Sequence, residues 1–152
     1  MGSSGAQIGQ PGFYQTGPVE GFDAMQIKMI SMVAMGGAIG SSGRYMVGVL
    51  ATRLLGMNFP WGTMIVNLLG AFLMGVLVSL LAVRFSVGNE VRAFLAVGML
   101  GGFTTFSSFT LDAVYLLEKK QYASALSYMS VSVIGGLLAL FLGLYLARIL
   151  AA

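Results

Sequence analysis

Residues 98–110 read Gly98-Met99-Leu100-Gly101-Gly102-Phe103-Thr104-Thr105-Phe106-Ser107-Ser108-Phe109-Thr110. They fall in the middle of an otherwise apolar stretch between Arg92 and Glu118. Two adjacent glycines weaken a helix. The five hydroxyl residues Thr104, Thr105, Ser107, Ser108 and Thr110 compete for the backbone groups so freed. Irregular backbone at membrane depth is tolerated only where it is buried in protein or lines a cavity. Two readings follow: a broken helix whose carbonyls and N–H groups face an ion, or a continuous kinked helix whose serines bond back to their own turn.

Outward from this segment the chain is apolar almost throughout. Of 152 residues, 57% are hydrophobic and 9% charged, against about 25% charged in soluble domains. A soluble core of this size could not bury so much apolar surface, so lipid is the expected solvent. Four apolar stretches are predicted as transmembrane helices: about Met29–Leu50, Thr63–Val83, the stretch between Arg92 and Glu118, and Tyr122–Ala147. Each reaches the roughly 20 residues needed to cross the hydrocarbon. Residues 1–24, with glycine, proline, serine and two acids, read as a flexible extension, its first residues resembling an expression-vector remnant. Residues 25–152 form the membrane domain. A signal peptide over 25–43 is the competing reading, weakened by a long acidic leader and one basic residue, Lys28.

The eight basic residues punctuate the apolar runs instead of clustering, which argues against nucleic-acid binding and for helix ends in a membrane. Lys28, Arg84, Arg92 and Arg148 fall on one side; Arg53, Lys119 and Lys120 fall on the other. Orientation follows the Lys/Arg excess, and four against three gives little bias. The chain can then insert both ways up, unless one residue of bias suffices.

Some residues require a reason to sit in lipid. Arg44 shares a helix face with Gly36, Gly40 and Gly48, so it points along a packed seam. It either raises the potential for an incoming anion or snorkels to the interface. Asn67, in the series Thr63, Asn67, Ala71 and Gly75, serves as interhelical glue or as an anion ligand with two N–H groups. Ser124, Tyr128, Ser132 and Gly136 share a face of the last helix, read either as a polar track or as ordinary interhelical hydrogen bonding, and Gly135, Ala139, Gly143 and Ala147 form a packing seam. Cysteine and histidine are absent, and no phosphate loop with a lysine occurs. One intramembrane carboxylate, Asp112, does not make a hydrolase. An enzyme is not expected.

Three segments resemble the small fluoride channels, the Fluc or CrcB proteins. They are Gly36-Gly37-Ala38-Ile39-Gly40 with Arg44-Tyr45, then Gly62-Thr63-Met64-Ile65-Val66-Asn67-Leu68-Leu69-Gly70, and most specifically Gly101 to Phe109. The likeness covers about residues 27–150. It implies an all-α, four-helix membrane protein with a broken third helix. The assembly would be an antiparallel, dual-topology homodimer with two pores, passing fluoride passively across the bacterial inner membrane. Phe106 and Phe109 resemble the pore phenylalanines. Asn67, Thr105, Ser107 and Ser108 would supply donors, Arg44 resembles the vestibule arginine, and Tyr128 and Ser132 match polar contacts of the fourth helix. Carbonyls of Gly101 and Thr104 would hold a structural sodium ion shared with the partner. Ser108 stands where threonine is usual and Asp112 where glutamate is. A four-helix multidrug transporter would need a carboxylate in the first helix, which is lacking between Lys28 and Arg53. A non-transporting assembly protein would not need Arg44, Asn67 and a hydroxyl-rich third helix together.

Overall fold

The computed structural model describes residues 23–83 and 87–151, all in helices and short connections. Residues 1–22 of the expected N-terminal extension (1–24) and Arg84 lie outside the described residues, while Asp23 and Ala24 belong to the start of the first helix. Helix α1 spans Ala24–Leu55. Asp23 caps it, its carboxylate accepting the Gln26 N–H at 2.8 Å, which satisfies one of the free N–H groups of the first turn. Gly56 ends it at φ 84°, donating its N–H to Thr52, a left-handed position that glycine enters without a Cβ penalty. Helix α2 (Trp61–Val83) follows Pro60.

The third stretch is composite. A short α3 (Asn89–Arg92) runs into a π-helical segment, Ala93–Leu100, and then α4 (Gly101–Phe103). Thr104 and Thr105 are extended, at φ −82°, ψ 159° and φ −154°, ψ 118°, before α5 (Phe106–Glu118) begins. Lys120 then takes φ 58°, and the N–H groups of Lys120 and Gln121 reach back to Leu117 and Leu116. The turn hands the chain to α6 (Tyr122–Ala151).

Among the described residues, three stretches are both long and apolar enough to cross a membrane: Trp61–Ala82, Asn89–Glu118 and Tyr122–Leu150. The expected first span coincides with α1, which at 32 residues has the length. Lys28, Arg44, Arg53 and a run of glycines and serines leave it less apolar than the others, so three rather than four stretches meet both conditions.

Lipid offers no hydrophobic drive for helix pairing, so close backbone approach carries the packing. Helix α1 lies against the π segment and α4. A Cβ on Gly36 would meet the Met99 nitrogen at 2.9 Å, and one on Gly40 the Phe103 nitrogen at 2.9 Å. Helix α2 runs along α6, where Gly143 abuts the backbone of Phe72 and Val76 and Gly75 that of Leu140 and Leu144. Ala147, in the same seam as Gly143, is buried. Helices α1 and α5 do not pack against one another, which leaves a cleft between them.

Candidate functional site

The site is built around the two extended threonines. In a continuous helix the Thr105 N–H would serve the Gly101 carbonyl. Here it donates to Asn67 Oδ1 at 2.8 Å, while Asn67 Nδ2 donates to the Thr105 carbonyl at 3.0 Å. One side chain thus replaces both helical partners of Thr105, as a buried backbone requires. The amide carries two N–H groups, so a second one remains.

The Thr105 side chain repeats the pattern one turn on. It is buried and caps α5: Oγ1 accepts the Ser108 N–H at 3.2 Å, donates to Ser108 Oγ at 3.1 Å and lies 3.3 Å from Ser107 Oγ. Ser108 N–H is the donor a continuous helix would bring to the Thr104 carbonyl. Both Gly101 and Thr104 therefore lose their helical donors at this junction. Thr104 and Thr110 direct their own hydroxyls to helical carbonyls, at Leu100 and at Phe106 and Ser107.

Two cavities flank Thr105. One, about 390 Å³, is lined by Asn67, Thr104, Thr105, Phe106, Phe109 and Ser132, with apolar residues of α2 and α6. The rings of Phe106 and Phe109 are 5.6 Å apart and tilted by 40°. Phe109 continues to Tyr128 at 5.3 Å, whereas Phe106 is 75% exposed. Ser132 Oγ is buried and has no hydrogen-bond partner among the described residues. The other cavity, about 290 Å³, is lined by Arg44, Ser41, Tyr45, Thr63, Thr105 and Ser108.

Tyr128 lies apart from both. It is fully buried, edge-on to Phe59 at 5.6 Å, and donates its hydroxyl to Asp112 at 3.3 Å. Ser107 and Gly101 are exposed and line neither cavity. Thr63 and Asp112 had not been singled out as site residues, although Thr63 heads the four-residue series that includes Asn67. A third cavity, about 620 Å³, opens at the bundle end where α1 and α5 finish, and Asp112 lines it with Arg53 and Lys119.

Residues 31–144 match the family model described as CrcB-like protein, Camphor Resistance (CrcB). The chain is 54% identical over 119 residues to a "Fluoride-specific ion channel FluC" of Chelativorans sp. (strain BNC1), covering 78% of this chain and 95% of the relative. It is 53% identical over the same length and shares to the FluC of Agrobacterium fabrum. With the "Fluoride-specific ion channel FluC 1" of Nitrobacter hamburgensis it shares 45% over 126 residues, 83% of this chain and all of the relative.

Proposed function

This chain belongs to the CrcB family, multi-pass membrane proteins that are ion channels and not enzymes, and from that premise we propose that it conducts fluoride selectively and passively across the bacterial inner membrane. The observation that carries the reading is the convergence of Asn67, Thr105, Phe106, Phe109 and Ser132 on one cavity. Fluoride is small and strongly hydrated, so a path must replace water with several donors that each hold it loosely. Ser132 Oγ and the second Asn67 N–H are donors not engaged elsewhere. The edges of Phe106 and Phe109 carry partial positive charge and accept an anion without a formal cation. Arg44, half-buried beside Ser108, raises the potential at the adjoining cavity.

The third stretch acts as a broken helix, and α1 serves as the fourth span, its Arg44 half-buried in the cavity it shares with Val66 of α2 and Ser108 of α5. The assembly is an antiparallel, dual-topology homodimer with two pores, in which a partner covers the exposed ring of Phe106. Ser107 and Tyr128 contribute indirectly, through Thr105 and Asp112.

A structural sodium ion at the dimer centre suits the residues present. No group of three His, Cys, Asp or Glu residues gathers among the described residues, so backbone carbonyls are the ligands to consider. The break strips the helical donors from the carbonyls of Gly101 to Thr104, and those of Gly101 and Thr104 are diverted to Asn67 and to Thr105 Oγ1. Bound there, the ion would supply fixed positive charge and hold two subunits together.

The test is fluoride efflux from liposomes carrying the purified protein, with chloride recorded in parallel. Fluoride release without chloride release is expected. Verified dimers that release neither, alone or with an oppositely oriented homologue, would overturn the reading.

A further inference from the structure

The third cavity carries two basic side chains that the fluoride path proposed above does not include. It lies at the bundle end, in the cleft that α1 and α5 leave open, and Arg53 and Lys119 flank it from different helices. Both are exposed, and among the described residues the one ion pair is Lys28–Glu90, which involves neither. Asp112, the carboxylate on the wall, accepts the Tyr128 hydroxyl and offsets one of the two cations, so the lining keeps a net positive charge. Tyr45, Trp61 and Tyr115 complete it, amphipathic rings of the kind that sit at headgroup level. Its 620 Å³ would hold about twenty waters at roughly 30 Å³ each, far more than one halide requires. Arg53 is nine residues along α1 from Arg44, about 13 Å of helix rise, so the cationic rim lies toward the bundle end of a cavity that adjoins the inner one, with Tyr45, Gly48, Gly62 and Thr63 lining both.

We propose that this cavity binds the phosphodiester headgroup of an anionic phospholipid between Arg53 and Lys119. Basic pockets between membrane helices at the interface suit such headgroups. The acyl chains would lie along the exposed Tyr45 on one wall and Tyr115 and Leu111 on the other, at 72%, 51% and 50% exposure. Each basic side chain near the surface favours anionic lipid by about fivefold. Setting Asp112 against one cation still leaves an excess of about fivefold over random lipid.

Trp61 is the chain's single tryptophan and lines the cavity, so it reports on the site without any ion flux and independently of the channel reading. The full chain is reconstituted in phosphatidylcholine vesicles containing a minority of chain-brominated phosphatidylglycerol. A second set contains the same fraction of brominated phosphatidylcholine. Stronger quenching of Trp61 by the anionic lipid is expected. The excess should vanish in R53Q/K119Q and persist in the charge-conserving R53K/K119R, which separates loss of the site from loss of the fold. Equal quenching by both lipids overturns the proposal, as does an excess that survives R53Q/K119Q. Absence of quenching by either lipid would mean that protein, such as a second copy, covers the cleft. Loss of the excess on adding inorganic phosphate would assign the site to free phosphate and remove the lipid.

Discussion

Asn67 and Thr105 exchange two hydrogen bonds, 2.8 and 3.0 Å long, across 38 positions of sequence. An amide side chain is thereby used as if it were a peptide group, tying α2 to the junction between α4 and α5. Asn67→Ala removes both bonds and strands a buried N–H and carbonyl, at about 1–3 kcal/mol for an unsatisfied buried group. A lower unfolding temperature in detergent is expected together with lost fluoride efflux. Asn67→Asp keeps the acceptor for the Thr105 N–H but sets a carboxylate oxygen against the Thr105 carbonyl, and should be no better. Wild-type melting and flux in both variants would remove the strut from the account.

The Thr105 hydroxyl is separable from its backbone. Thr105→Val keeps the shape and loses the cap of α5, a change of about 0.5–2 kcal/mol. Thr105→Ser restores the oxygen. Thermal unfolding should rank wild type and Thr105→Ser together, with Thr105→Val below. An unchanged Thr105→Val would show that the Ser108 N–H finds another acceptor.

Gly136 and Gly143 lie on the same helix and should behave oppositely. A Cβ at Gly136 meets nothing within 4 Å, whereas one at Gly143 meets the Phe72 carbonyl and the Val76 nitrogen. Backbone cannot yield as a flexible side chain does, and overpacking costs about 1–3 kcal/mol. Gly143→Ala should lower the unfolding temperature while Gly136→Ala leaves it in place. The reverse order would contradict the α2–α6 packing.

Phe106→Leu and Phe109→Leu keep apolar volume but remove the ring quadrupole. Both should abolish fluoride efflux while size-exclusion chromatography still reports the wild-type assembly. Normal flux in both would count heavily against the channel reading.

The Lys28–Glu90 pair, 3.1 Å apart and well exposed on both sides, is predicted to matter little. Exposed pairs contribute little because solvent screens them, so Glu90→Gln should melt within a degree or two of wild type. A large drop would mean the pair is shielded in the assembled protein.

The helical class and the positions of α2 and α6 were legible because uninterrupted apolar runs leave a chain few options in lipid; the separate start of α5 was not, since the hydroxyl-rich segment fits a kinked helix as well as a broken one. Gly36, Gly40 and Gly143 were legible as packing residues because small residues four apart form a seam whatever they face. The partner of Asn67 was not legible. Spacing along one helix places a side chain on a face, but only the fold decides that Thr105, far away in sequence, meets it. The stripe of Ser124, Tyr128 and Ser132 left a polar track and ordinary interhelical hydrogen bonding both open; only the fold sets the Tyr128 ring between Phe59 and Phe109 with its hydroxyl on Asp112, and Ser132 beside a cavity. The π segment at Ala93–Leu100 had no warning in the sequence, since nothing local distinguishes one extra residue per turn in an apolar run.

A hydroxyl owns a single proton, and this gives the cluster around Thr105 a direction. Thr105 donates its proton to Ser108, so toward Ser107 it can only accept. The proton of Ser108 is then left to point onward, into the space it shares with Arg44. The cluster works as a ratchet of orientations: reversing the last member would require every hydroxyl behind it to turn as well. In the channel reading proposed above, an anion approaching from the arginine side would meet that proton, its orientation set by the hydroxyls that cap a helix rather than by the ion.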